Sequence, residues 1–439
     1  MQLTMLYFLN ALVLLAGFLW GLQRRRIYSI FWLALLTLHF VSLLNFDNLL
    51  NKFSNSSLIY GQILMIIANS LFFLIVICLD LIILQKRRVG GKNYAEKEKQ
   101  KGLNRYLIVI IVLLIVSFLI RLRGGTSILL SNWVQIRETE GLLDSLSTML
   151  VFISTPALWI LIKKRNYLLA ILITLFLLFH VQISGSRAIF LVLGCAIIID
   201  IIISSTSVLK KSFLLLILGI VLFVSHTFLR LTRGLGVMGF LTALSSGFQN
   251  TSFKNIDISG GESQIYLYYY NVIEKDYDKY PYKTGVTLRR LALLYLPREI
   301  FPEIKPVDIT YYLWTDFLDE NPDLKQLFKN IKVPGCVHPT IWGDAYVNVG
   351  AGGILLYPVL FGFAIVLIEY FITNLSSFSL SAISPIIGIG YMAIGRGNVV
   401  IGCGYIGYMV PMIILLLLSM RIPLFAQQQK PTIAPQEIY

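Results

Sequence analysis

Two short stretches of this chain hold residue types that can move a proton or bind an anion. One is His338-Pro-Thr-Ile-Trp-Gly-Asp344-Ala-Tyr346-Val-Asn348-Val-Gly350, the other Ser184-Gly-Ser-Arg187. A histidine changes charge near neutral pH, so His338, one of only four in the chain, can donate or accept a proton. Asp344 can act as a base or orient a hydroxyl group, and can equally cap the helix that follows it. Glu262, after Gly260-Gly261 and ahead of Tyr266, Tyr268, Tyr269 and Tyr270, is the third candidate base. Trp342, Tyr346 and Asn348 supply a ring, a hydroxyl and an amide for holding a polar substrate.

The second chemistry is anion binding. Gly and Ser make Ser184 to Arg187 a tight turn with free backbone N–H groups, and the helix beginning there has its positive end at the same place. Arg230 and Arg233 continue the face of His226 at helical spacings of four and seven. Arg289 and Arg290 precede an apolar Leu-Ala-Leu-Leu-Tyr run that can lie on or dip into a membrane, and Arg396 repeats the tight-turn pattern. A planar, permanently charged fork at each of these places suits phosphate.

The rest of the chain must place these groups. Its 439 residues are 56% hydrophobic and 14% charged, far from the composition of soluble domains. Apolar runs recur at about the length of a bilayer crossing, continuous rather than alternating, which selects helices over a barrel. The expected fold is all-α and polytopic, with about eleven spans. Spans one to eight occupy residues 1–229, a large outer loop of short proline-broken helices residues 230–350, spans nine to eleven residues 351–420, and a tail residues 421–439. Arg24-Arg25-Arg26, Lys86-Arg87-Arg88, Lys163-Lys164-Arg165 and Lys210-Lys211 mark the cytoplasmic ends. That topology leaves the N-terminus, the large loop and the phosphate-suited arginines outside. The first apolar run lacks a basic n-region, the pattern of a retained span rather than a cleaved signal. The net charge of +14 sits at helix ends, not in one module, which argues against nucleic acid as a partner.

Several residues have plain structural readings. His39 lies mid-span and reads as core. His180, two turns before Arg187, either lines the same cavity or packs in the core. Arg121, Arg123 and Arg298 read as helix-end arginines that snorkel to lipid headgroups. The tyrosines from 266 to 270 either stack on rings or form an interfacial belt. Of the four cysteines, three read as core residues, and Cys336 has Cys403 as its only candidate partner. Asp316, Asp319 and Glu320 are acidic enough to consider a metal, but no Asp-x-Asp pair lies near the first outer loop, which favours metal-free chemistry with no cofactor.

The His338 to Gly350 stretch, Ser184-Gly-Ser-Arg187, the span count and the large outer loop late in the chain together resemble the Wzy oligosaccharide repeat-unit polymerases of bacterial O-antigen and capsule synthesis. That family is similar to the O-antigen ligases. The resemblance implies a GT-C-like helical fold in the bacterial inner membrane, with its site facing outward. It also implies an undecaprenyl-pyrophosphate-linked oligosaccharide as substrate, and a chain-length regulator and flippase as partners. It carries over to Arg187, His338 and Asp344 by motif, and to Arg230, Arg233, Arg289, Arg290 and Arg396 by position. The reaction needs a departing diphosphate to be neutralised and an attacking sugar hydroxyl to lose a proton. Two alternatives stay open: a ligase with lipid A–core as acceptor, and a flippase, although no internal repeat of the transporter kind is visible.

Overall fold

The structure is a computed structural model. It describes residues 2–43, 46–84, 96–123, 142–184, 188–232, 264–275, 285–296, 304–306, 308–310 and 338–420, with single residues at 242, 245 and 313. Among them every regular element is helical. In order these are α1 (Gln2–Arg24), α2 (Ser29–Ser42), α3 (Phe46–Lys52), α4 (Asn55–Leu79, continued by a π-turn at Asp80–Leu84), α5 (Glu96–Leu122), α6 (Leu142–Ser154), α7 (Pro156–Lys163), α8 (Tyr167–Ser184), α9 (Ala188–Ile203) and α10 (Val208–Thr232). Then follow α11 (Ile265–Glu274), α12 (Val286–Ala292), α13 (Thr340–Val349), α14 (Ala351–Thr373), α15 (Ser377–Arg396), α16 (Val399–Gly407) and α17 (Met409–Met420).

The fold is an all-α membrane fold. Seven stretches among the described residues are long and apolar enough to cross a bilayer: Gln2–Arg24, Asn55–Leu84, Asn104–Leu122, Leu146–Lys163, Ala351–Thr373, Phe378–Arg396 and Val399–Leu417. The pair α2 and α3, bent by 71°, makes an eighth if it is one span. Helix starts follow local chemistry: the hydroxyls of Ser54 and Ser376 accept from the backbone N–H of Ser57 and Ser379 at the heads of α4 and α15.

α15 is the hub, packing against α2, α7, α9, α13, α16 and α17. Its small residues allow this. A Cβ on Gly390 would meet Gly402's carbonyl oxygen on α16 at 2.8 Å, and one on Gly388 would meet Cys195 on α9 at 3.1 Å. α14 lies along α4, and α1 fills the other side of α4.

The bundle has two distinct ends. At one, Arg24 and Arg26 pair with Asp80, Lys163 pairs with Asp200, and Lys211 donates to the carbonyls of Leu22 and Ile202. At the other lie α11, α12, α13 and the turn between α15 and α16. α14 joins them: its Tyr357 reaches the second group, and its Glu369, twelve residues or about 18 Å further along, reaches the first.

Candidate functional site

α13 is a ten-residue helix between proline-rich chain and a membrane span, and it is almost wholly buried. Its crossing with α14 is backbone on backbone: a Cβ at Gly353 would collide with the carbonyl of Ala345. Its start is strained. Thr340, a β-branched residue, has φ +65°, a region that such residues avoid. The turn between α15 and α16 fits against that point. Gly397 has φ +96°, and a Cβ there would stand 2.6 Å from the Thr340 carbonyl oxygen. His338 and Arg396, distant in sequence, are thereby neighbours. Burial and the adjacent Arg396 guanidinium hold the His338 imidazole well below its ordinary range, so it is neutral at pH 7.

One turn further along α13, Asp344 is 1% exposed and each of its oxygens accepts a hydroxyl. Thr287 Oγ1 donates to Oδ1 and Tyr357 Oη to Oδ2, each at 2.9 Å. Asn348, one turn later, accepts from Thr287 N at 2.8 Å and donates to Thr287 Oγ1 at 3.0 Å and to the Asp344 carbonyl at 2.7 Å. Gly285 N donates to the Asn348 carbonyl. The head of α12 is therefore tied to α13 by orphan N–H groups that α12 cannot satisfy itself. Burial, the largest influence, and nearby Asp308 push the Asp344 carboxyl up, while the two hydroxyl bonds pull it down; it rests at about 7.

That tie sets α12's two arginines. Arg290 is mostly covered; it donates to the Pro306 carbonyl and lies 3.5 Å from the Asp308 carboxylate. Arg289 is exposed on the same short helix. Asp308 is further fixed by Thr310, whose N and Oγ1 donate to its Oδ1. The result is one patch holding His338, Arg396, Asp344, Arg290 and Asp308.

Of the residues singled out in the sequence, His338, Asp344, Asn348, Arg289, Arg290 and Arg396 come together here. Trp342 and Tyr346 are on the same helix but inside the protein. The Trp342 indole donates to Asn69 Oδ1 at 2.8 Å, its ring faces Phe72, and Tyr346 is 6% exposed. Glu262, Arg187, Arg233, Arg298, Cys336, the acidic run from Asp316 to Glu320 and the side chain of Arg230 lie outside the described residues. Cys403 carries a free thiol.

Two structural readings change. Arg121 is buried rather than snorkelling: it lies 3.5 Å from Asp144, donates to that residue's carbonyl and to Thr148 Oγ1, and Arg123 closes on the same carboxylate at 2.9 Å. The carboxylate at the head of α6 pairs with both guanidinium groups, burying Arg121 and leaving Arg123 about half exposed. The tyrosines at 266, 269 and 270 point inward and form neither a belt nor an open platform. Tyr269 donates to the Gly61 carbonyl, and Tyr270 to Gln62 Oε1. Tyr266 meets His39, whose Nε2 can donate only to the Tyr7 carbonyl; Nδ1 therefore accepts, from Tyr266 Oη and Asn10 Nδ2. His39 is a core residue, as its mid-span position suggested.

Thr287, Tyr357 and Asp308 carried no sequence signal of their own. Asp80 and Glu369 did: a lone carboxylate within an apolar run is rare enough to need a partner. No protein-family model, no curated protein and no solved structure matches this chain.

Proposed function

We propose that this chain is a membrane glycosyltransferase of eleven spans with a GT-C-like arrangement. It polymerises undecaprenyl-pyrophosphate-linked oligosaccharide repeats by moving the growing glycan from its lipid diphosphate to a sugar hydroxyl of a new repeat. The eleven are the seven long helices together with α2, α8, α9 and α10. By the positive-inside rule the end bearing Arg24 to Arg26, Lys163 and Lys211 is cytoplasmic, and α12 and α13 face outward in the bacterial inner membrane.

One observation carries the reading. α13 and the strained contact of Thr340 with Gly397 gather two of the arginines suited to diphosphate, Arg290 and Arg396, and two candidate bases in one patch, from segments spread over a hundred residues. Fixed guanidinium groups stabilise charge on a departing diphosphate. Between the bases, Asp344 is the better matched. A general base works best with its pKa near the operating pH, and Asp344 sits at about 7 whereas His338 is held far lower.

The test is polymerisation by purified protein in liposomes with a synthetic lipid-linked repeat, with and without a chelator. Wild type builds a ladder of long chains in both. Arg396→Ala and Asp344→Asn slow elongation by about 10²-fold or more, the scale for losing one charge-stabilising group or one general base. Unchanged chain lengths in both variants, or product only when lipid A–core is the acceptor, defeat the polymerase reading.

A further inference from the structure

α12 is too short to be a span, yet its continuation does not stay among polar groups. α12 packs against α16, and after Ala292 the chain turns through Leu293 to Leu296. The Tyr295 hydroxyl reaches Gly407, where any Cβ would collide with it. Gly407 lies eight residues past the start of α16, so the contact is about 12 Å along that helix from its polar end. From Gly407 the same stripe continues through Val410, Ile414 and Leu417, at spacings of three, four and three, with about half of each side chain uncovered. A stripe of that kind on a membrane span faces lipid.

The large apolar side chains here are uncovered as well. Tyr295 is 74% exposed and Ile304 60%. Ile304 belongs to the same unit, because Lys305 Nζ donates to the carbonyls of both Leu294 and Leu296 at 2.8 Å and Arg290 binds the Pro306 carbonyl. The Leu294 and Leu296 carbonyls lie in the turn beyond α12, outside its helical hydrogen bonds. In water solvent would meet them. Here an ammonium group, on a lysine only 7% exposed, covers them from within, which a low-water surrounding requires. At the other end of the segment the exposed Arg289 gives the charge that suits a phosphate-bearing surface.

We propose that α12, the turn from Leu293 to Leu296 and Ile304 form an anchor immersed in the outer half of the bilayer beside α16. Its partner is the phospholipid itself: headgroup at Arg289, acyl chains at Tyr295 and Ile304. The inference rests on the membrane fold and on the outward orientation proposed above, and is independent of the polymerase chemistry. It assigns the large loop a fixed contact with lipid, and it places Arg290 and Asp344 just above that contact.

The unmodified full chain in nanodiscs tests it, using a phospholipid with a diazirine in the upper half of its acyl chain. After irradiation, peptide mass spectrometry reads which residues carry the adduct. Tyr295, Leu296 and Ile304 should be labelled within about two-fold of Val410 and Ile414 on the lipid-facing stripe of α16 and α17. In the parallel arm, a water-soluble diazirine should label Glu274 at the end of α11 and leave the three untouched. Lipid adducts at Val410 and Ile414 but none at Tyr295, Leu296 or Ile304, or labelling of those three by the aqueous probe, overturn the anchor. Neither result bears on glycosyl transfer.

Discussion

Asp344 shows how a single carboxylate can do two jobs. Its oxygens hold α12 through Thr287 and α14 through Tyr357, and burial keeps its proton available near neutrality. Two pH effects follow. If the ionised form is the base, elongation rises through about pH 7 and levels off above it, and Asp344→Asn removes that limb of the profile. Stability moves the other way. The carboxyl has an ordinary value of 3.8 and a folded value of about 7, so between these the folded protein holds the proton and the unfolded chain does not. Its contribution is complete below the lower value and is lost as pH rises through the upper one. Thermal unfolding in nanodiscs between pH 4 and 8 should show wild type losing stability relative to Asp344→Asn as pH rises towards about 7, with a constant offset above that. A difference constant over the whole range removes Asp344 as the titrating group.

At the scale of elements, the joint between α1 and α2 has an unusual construction. Arg25 takes φ +58°, and the backbone N–H groups of Ile27 and Tyr28, two and three residues further on, both point at the carboxylate of Glu369 on α14, at 2.9 and 3.2 Å. These are orphan donors at the head of α2, satisfied by a side chain from a helix more than three hundred residues away. Arg26, itself 1% exposed, binds Asp80 at 2.9 Å where α4 loosens into its π-turn, with Trp20 and Tyr28 on the other oxygen. The clamp fixes α1, α2, α4 and α14 at the basic end. Glu369→Ala should cost about 2–5 kcal/mol by stranding two buried donors, and Asp80→Ala about 3–5 kcal/mol by leaving Arg26 unpaired. Denaturation in detergent reads both. A loss under ~1 kcal/mol in each would show that the clamp is dispensable. The opposite end is joined differently, by neutral groups: Trp342, Asn69, Asn10, His39 and Tyr266 form a hydrogen-bonded chain that attaches α11 and α13 to the spans.

For the whole molecule, charge and polarity separate the two ends. Lysine and arginine paired with Asp80 and Asp200 hold one end, and Arg290 with Asp308, Arg396, His338 and the short helices α11 to α13 occupy the other. The orientation can be read directly. A membrane-impermeant maleimide added to intact spheroplasts should label Glu274→Cys on α11 and spare Lys164→Cys beyond α7, both scored against the parent chain with its native cysteines. The reverse pattern would put the candidate site on the cytoplasmic side and end the proposed reaction there.

Sequence alone determined that this chain folds as helices in a membrane, since runs of apolar residues at bilayer length leave few alternatives. It also marked where the basic ends lie, and it singled out His338, Asp344, Arg290 and Arg396 by residue type and position. It misjudged side chains whose surroundings come from distant segments. Arg121 looked lipid-facing until Asp144 closed on it, and Tyr266, Tyr269 and Tyr270 looked available until α1, α2 and α4 covered them. Only the tertiary structure decided that Thr287 and Tyr357 hold Asp344, that Gly397 seats Arg396 beside His338, and that Glu369 caps α2. The reason is physical: hydrophobic periodicity is local and can be read along the chain, whereas a buried polar group takes its partner from whichever segment packing brings within hydrogen-bond reach.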